Sequence, residues 1–126
     1  MKEALYYEQL EKNIVQCKLC PHKCTIKPDK KGICRVRQNI NGKLVSLVFG
    51  KVAGGLSVDP IEKKPLFHFL PGSKVLSFGT VGCNFRCKHC QNWNTSQSNS
   101  CSIIEKEISP EEIVKKAQDN NCKAIA

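Results

Sequence analysis

The segment Cys83-Asn84-Phe85-Arg86-Cys87-Lys88-His89-Cys90 constrains this chain more than any other. Its cysteines follow a Cys-x3-Cys-x2-Cys spacing. Thiolates this close along a chain can each take one iron of a cubane [4Fe–4S] cluster. The run holds no fourth cysteine, so one iron is left open for a substrate or cofactor. A cluster with an open iron is a catalytic device, whereas a plain electron carrier closes every position. The apolar run Val75-Leu76-Ser77-Phe78, then Gly79-Thr80-Val81-Gly82, precedes the first cysteine. These residues read as a buried strand that delivers a metal loop at its C-terminal end. The competing reading of Cys83, Cys87 and Cys90 is a structural zinc knuckle, which needs a fourth ligand such as His89 or Cys101.

A second set, Cys17, Cys20, Cys24 and Cys34, is spaced x2, x3 and x9. Four thiolates suit tetrahedral zinc in a closed structural site. They equally suit a second, fully ligated [4Fe–4S] cluster. Reduced or disulfide-linked cysteines are the third reading. His22 can replace one thiolate, although a surface position after Pro21 explains it more simply. Cys101 and Cys122 are expected to be unliganded.

Nine cysteines in 126 residues would signal disulfides in a secreted chain. The N-terminus Met1-Lys2-Glu3-Ala4-Leu5 has no apolar signal core, so the cysteines point to metal or redox chemistry and the expected location is cytoplasmic. No apolar run of about 18 residues occurs, and no membrane partner is expected. The net charge of +9 describes a solvated basic surface; a basic face for an acidic partner or nucleic acid is the sharper reading. No Lys/Arg block is long enough to promote it.

Periodicity supplies a coarse fold. Tyr6, Leu10 and Ile14 recur at i, i+4 and i+8, which predicts a helix over 2–16. Asn41-Gly42 suits a tight hairpin turn between arms at 33–38 and 44–52. Residues 53–73, with Gly54-Gly55, Pro60, Pro65 and Pro71-Gly72, read as an irregular linker. Lys63 and Lys64 are adjacent, so an extended backbone would send them opposite ways. A strand is predicted over 74–79. Ser109-Pro110-Glu111-Glu112 starts a helix over 110–120, with Ser109 as cap and Glu112 three residues on. A second strand begins at 122–126. Strand, helix and strand-start open a βαβ series, so the expected class is α/β. A complete (β/α)8 barrel takes about 250 residues, so the expectation is an N-terminal fragment of a longer protein. The expected organisation is a small Cys-rich α+β metal-binding domain and linker over 1–72. The first βα unit and the start of the second strand of a truncated barrel follow over 73–126.

The cysteine motif and its flanks resemble a known group. Cys83-x3-Cys87-x2-Cys90 after a Gly-rich strand end is similar to the radical S-adenosylmethionine (radical SAM) superfamily. Asp59-Pro60-Ile61-Glu62-Lys63-Lys64-Pro65-Leu66-Phe67-His68-Phe69-Leu70-Pro71-Gly72, Gln91-Asn92-Trp93 and the N-terminal Cys-x2-Cys-Pro-His-x-Cys narrow it. Together they resemble the AmmeMemoRadiSam-system radical SAM enzymes, relatives of pyruvate formate-lyase activating enzyme. The resemblance implies a radical SAM (β/α) barrel and a [4Fe–4S] cluster on Cys83, Cys87 and Cys90. It implies S-adenosylmethionine chelating the open iron. Reductive cleavage then gives methionine and a 5′-deoxyadenosyl radical that abstracts hydrogen from an unknown substrate, a protein among the candidates. His89 stands where many members carry Tyr or Phe, which implies a contact with the SAM adenine. An electron donor such as flavodoxin or ferredoxin is implied too. The Gly-Gly-Glu-type segment that grips SAM in the superfamily is expected after the second strand, so the chain alone is expected not to turn over SAM. A glycyl-radical enzyme activating enzyme is the neighbouring alternative. A zinc-binding nucleic-acid module is the alternative of a different class.

Overall fold

Short antiparallel ladders satisfy most of the strand backbone in this chain. The computed structural model describes residues 1–98 and 104–126. Cys101, and with it the expectation that it is unliganded, lies outside them. The chain forms two compact units, Met1–Phe49 with Val81–Cys101 and Gly50–Thr80 with Ser102–Ala126.

The first unit holds strands β1 (Lys2–Glu3), β2 (Tyr7–Gln9), β3 (Val15–Cys17), β4 (Thr25–Ile26), β5 (Arg37–Ile40) and β6 (Lys43–Ser46). They form two three-stranded sheets, ordered β1-β6-β5 and β2-β3-β4, with every pair antiparallel. The helix predicted over 2–16 is therefore replaced by strands. Lys12 and Asn13 take φ of 55° and 58° and reverse the chain between β2 and β3. The stripe that suggested a helix is not the buried face, since Tyr6 is 60% and Leu10 39% exposed. Burial follows period two, with Val15 and Cys17 inside on either side of Gln16. The core is Ala4, Val15, Cys17, Ile26 and Leu44, with Tyr7 and Cys24 packed against it.

The Asn41-Gly42 turn is present. Ile40 pairs with Lys43 across it, and both turn residues have positive φ, 49° and 84°. Two positive φ values match the twist of the flanking strands. Fully buried Asn39 fastens this hairpin. Its amide donates to the carbonyls of Asn13 and Ile26, both at 2.8 Å, and its Oδ1 accepts from the Gly42 N–H at 2.9 Å.

The second unit holds β7 (Lys51–Pro60), β8 (Lys74–Gly79), β9 (Ile104–Glu107), helix α2 (Pro110–Asp119) and β10 (Cys122–Ile125), α1 being Trp93–Ser96 of the first unit. The expected linker over 53–73 thus begins as a ten-residue strand. Gly54 and Gly55, read as breakers, take φ of 72° and 74° inside it. They lie where the β7–β8 register shifts between Ala53 and Ser57, so they bulge the strand without ending it. A 3-10 turn over Ile61–Lys63 follows, and it overturns the expected divergence of the two lysines. Off an extended backbone, Lys63 and Lys64 both reach Asp59, at 2.8 and 3.5 Å.

The four-stranded sheet is ordered β10-β8-β7-β9. β8 and β10 pair in parallel and α2 connects to β10, as the βαβ pattern led one to expect. The α/β class and the barrel start are nonetheless overturned. A barrel strand has parallel neighbours on both sides. Here the other side of β8 is taken by antiparallel β7, and β9 pairs antiparallel beyond it. Among the described residues, small, mostly antiparallel sheets with two short helices replace the expected architecture. The α+β expectation for the N-terminal region fails likewise, because residues 1–49 hold strands and one 3-10 turn.

Candidate metal centre

Both cysteine motifs fall within the first unit. β3 ends at Cys17, whose N–H donates to the Cys24 carbonyl at 2.9 Å. That bond closes a loop in which Lys23 N–H donates to the Cys20 carbonyl at 3.1 Å. Cys34 lies in the next loop, where Arg35 N–H donates to the Gly32 carbonyl at 2.8 Å. Gly32 sits close enough to Cys24 that a Cβ on it would stand 3.7 Å from the sulfur. Cys17 is buried; Cys20, Cys24 and Cys34 are half-buried, and all four thiols are free.

The Cys83–Cys90 loop packs beside this knuckle. Gly82 has φ of 90°, and a Cβ there would lie 2.4 Å from Val36 Cγ1 and 2.7 Å from the Cys34 carbonyl oxygen. Only glycine allows so close an approach in that conformation. Arg86 donates to the carbonyls of Cys83 (2.9 Å), Phe85 (2.8 Å) and Ile33 (2.7 Å), tying its own loop to the Cys34 loop. His22 Nε2 meets the Asn84 carbonyl at 3.0 Å. A carbonyl only accepts, so that nitrogen carries the proton. Arg35 donates to the Gln97 carbonyl at 2.9 Å, and Gly82 N–H to that of Thr95 at 3.0 Å. Sequence reasoning assigned none of these tethers. Gly82 was legible only as a strand-end glycine, and nothing marked Arg86 or Asn84.

Within the triad, Cys83 and Cys90 are half-buried, and Cys87, Lys88 and His89 are exposed. Phe85 N–H donates to Cys83 Sγ at 3.4 Å, and Cys90 Sγ lies 3.4 Å from Ser96 Oγ. The donor set fits an iron–sulfur cluster: three free thiols on one loop, with hydrogen-bonding groups at two of the sulfurs. Among the described residues, no group of three or more His, Cys, Asp or Glu side chains converges on a single point as a bound ion requires. Cys17, Cys20, Cys24, Cys34 and Cys83 instead line one cavity of about 390 Å³, with Ile26, Val36 and Arg37 among its other walls. Cys122, in the second unit, is half-buried with its thiol free.

Among the described residues, no helix is long and apolar enough to cross a membrane. No family model matches the chain, and no solved structure matches it. An uncharacterized protein of Methanocaldococcus jannaschii is 51% identical over 126 residues, which is 100% of this chain and 38% of that protein. The chain therefore spans about 38% of the length of this relative.

Proposed function

We propose that this chain carries the cluster-binding loop of a radical SAM enzyme of the AmmeMemoRadiSam-system type, acting in the cytoplasm. The observation that supports it most is the Cys83, Cys87, Cys90 set: free thiols on one loop, flanked by residues that hold that loop in place. Cys83, Cys87 and Cys90 would hold three irons of a [4Fe–4S] cluster. When bound, such a cluster supplies the electron that cleaves the C–S bond of S-adenosylmethionine into methionine and a hydrogen-abstracting 5′-deoxyadenosyl radical.

The chain's residues divide the remaining work. Phe85 N–H bonds the Cys83 sulfur, and hydrogen bonds to ligand sulfurs tune a cluster's potential. The Ser96 hydroxyl lies 3.4 Å from the Cys90 sulfur and can donate to it once that sulfur is a thiolate. Arg86 holds three carbonyls and fixes the loop that presents the cysteines. Cys87, Lys88 and His89 form the exposed rim from which a cofactor approaches. On this reading the His89 ring contacts the adenine, and a flavodoxin or ferredoxin supplies the electron. The substrate, a protein among the candidates, is recognised by groups beyond the triad loop.

The test is anaerobic reconstitution with iron and sulfide, then electron paramagnetic resonance of the reduced protein with and without S-adenosylmethionine. The expected result is a signal component that Cys87→Ala removes and that S-adenosylmethionine alters where the segment that grips it is present. No signal component lost in Cys87→Ala, or zinc held at these cysteines in place of iron, overturns the reading. The latter would favour the zinc module.

A further inference from the structure

Three segments of the first unit wall the cavity of about 390 Å³. Cys17 comes from the end of β3, Cys20 and Cys24 from the loop after it, and Cys34 from the loop before β5. Cys83, also in the wall, belongs to the triad and already accepts from Phe85 N–H. Much of the remaining lining is aliphatic. Its polar exceptions are Asn84 and Arg37, and Arg37 Nη1 is buried with no hydrogen-bond partner. The positive charge of Arg37 at the wall favours an anion inside the cavity.

These features point to an anion with sulfur ligands. Four thiolates outweigh the charge of either a zinc ion or an oxidised cubane, which leaves a net dianion beside the guanidinium. Volume separates the two. A zinc ion bonded to four sulfurs at about 2.3 Å draws them around a single point. Among the described residues no three such side chains meet at one point, whereas these four cysteines line one shared cavity, which suits a group of several atoms better than a single ion. The spacing of Cys17, Cys20, Cys24 and Cys34 leaves no iron open. We propose that these four residues hold a second [4Fe–4S] cluster, fully thiolate-ligated, with the Arg37 charge in the wall beside it. The proposal stands apart from the radical SAM reading, because it uses a different set of cysteines.

The experiment counts metal. The chain is reconstituted anaerobically with iron and sulfide in the presence of zinc, and iron, sulfide and zinc are measured per chain. The proteins compared are the unaltered chain, a Cys20→Ala/Cys24→Ala variant and a Cys87→Ala/Cys90→Ala variant. Cys87 and Cys90 are chosen because they are absent from the cavity wall. The expected result is about eight irons in the unaltered chain and about four in each variant. About four irons and one zinc, with the zinc leaving in Cys20→Ala/Cys24→Ala, overturns the cluster in favour of zinc. About four irons and no zinc, unchanged in that variant, overturns any metal at the site. Iron lost from Cys20→Ala/Cys24→Ala but kept in full by Cys87→Ala/Cys90→Ala supports this proposal and sinks the radical SAM reading.

Should the first variant fail to fold, Arg37→Met keeps the apolar stem and removes the charge. It is expected to leave the iron count unchanged and to lower the midpoint potential of one cluster, since a cation favours the reduced, more anionic form. Unmoved potentials at both clusters would overturn the placement of Arg37 beside one.

Discussion

The two units solve the problem of a small core differently. The cysteine unit is built from strands of two to four residues, and its hydrophobic cluster includes the Cys17 thiol, with Cys24 packed against it. Its loops are held by point contacts: Gly82 against Cys34 and Val36, Arg86 on three carbonyls, His22 on Asn84, and Asn39 on three backbone groups. The sheet unit has a ten-residue strand paired on both edges and buries Val52, Ile61, Val75, Leu76 and Ile108. Small domains that cannot bury enough apolar surface need staples such as metal. On the proposed reading the first unit is a metal-stapled domain, and the second is a conventional sheet. Changes in the first should therefore act through metal uptake as well as stability, and changes in the second through stability alone.

Gly82→Ala tests that difference most severely. The new Cβ must adopt φ of 90° and meet Val36 at 2.4 Å and a backbone oxygen at 2.7 Å. Left-handed strain of about 1–2 kcal/mol and overpacking of about 1–3 kcal/mol sum to a loss on the order of 4 kcal/mol. The expected outcome is failed iron uptake at the triad, with amide exchange in α2 unaffected. Normal uptake would show that the close approach of Gly82 is not what presents the loop.

Leu44→Ala removes a fully buried side chain from the cluster that also holds Cys17. Deleting a buried leucine costs about 3 kcal/mol. Chemical denaturation of the metal-free protein should show a transition lowered by that amount. Iron loading should recover part of it if metal binding contributes folding free energy to this unit. An identical loss with and without metal would separate the core from the thiols and break the comparison.

The asymmetry also explains what the sequence revealed. Signals confined to a few neighbours were legible: Asn41-Gly42 at the hairpin, Ser109 with Glu112 at the start of α2, and the apolar run of β8. Signals set by partners far along the chain were not. Tyr6, Leu10 and Ile14 mimic a helical stripe, but burial of Val15 and Cys17 against Ile26 and Leu44 decides for strands. Gly54-Gly55 looks like a break until β8 and β9 are there to pair with either side of it. The parallel β8–β10 pair was readable from strand, helix and strand, whereas the antiparallel partner of β8 came from a stretch read as linker. The cysteines were found by spacing alone. That both sets share one unit was not, because the glycine, arginine and histidine tethers carry no motif.

Asp59 offers a smaller effect, confined to the sheet unit. Lys63 foremost, with Ser57 also donating, holds its carboxyl well below the usual carboxylate range. A depressed folded pKa means that the unfolded chain takes up its proton first as pH falls. The stabilisation is thus fully present above the ordinary Asp value of about 3.9 and is lost as pH drops below it toward the folded value. The urea midpoint of the sheet unit should be flat from about pH 7 to 5 on this account and decline below about 4. Asp59→Asn should be less stable at neutral pH, and the gap should close in acid. A gap that persists in acid would mean that the carboxyl acts through shape and not through charge.

Ser109→Ala should have the smallest effect and leave the proposed metal sites alone. Ser109 Oγ accepts from Glu112 N–H at 3.1 Å, and the Glu112 carboxylate accepts from Ser109 N–H at 2.8 Å. This capping box satisfies backbone donors at the start of α2 that have no partner within the helix. Pro110, following directly, has no N–H to satisfy. Loss of the hydroxyl frees one donor and loosens the reciprocal bond, at a cost of about 1 kcal/mol. Thermal unfolding read from the sheet unit should shift down slightly, while iron and sulfide per chain stay constant. A parallel fall in metal content would mean that α2 and the cysteine unit fold as one cooperative body, and the contrast between a stapled unit and a self-sufficient one would fail at its simplest point.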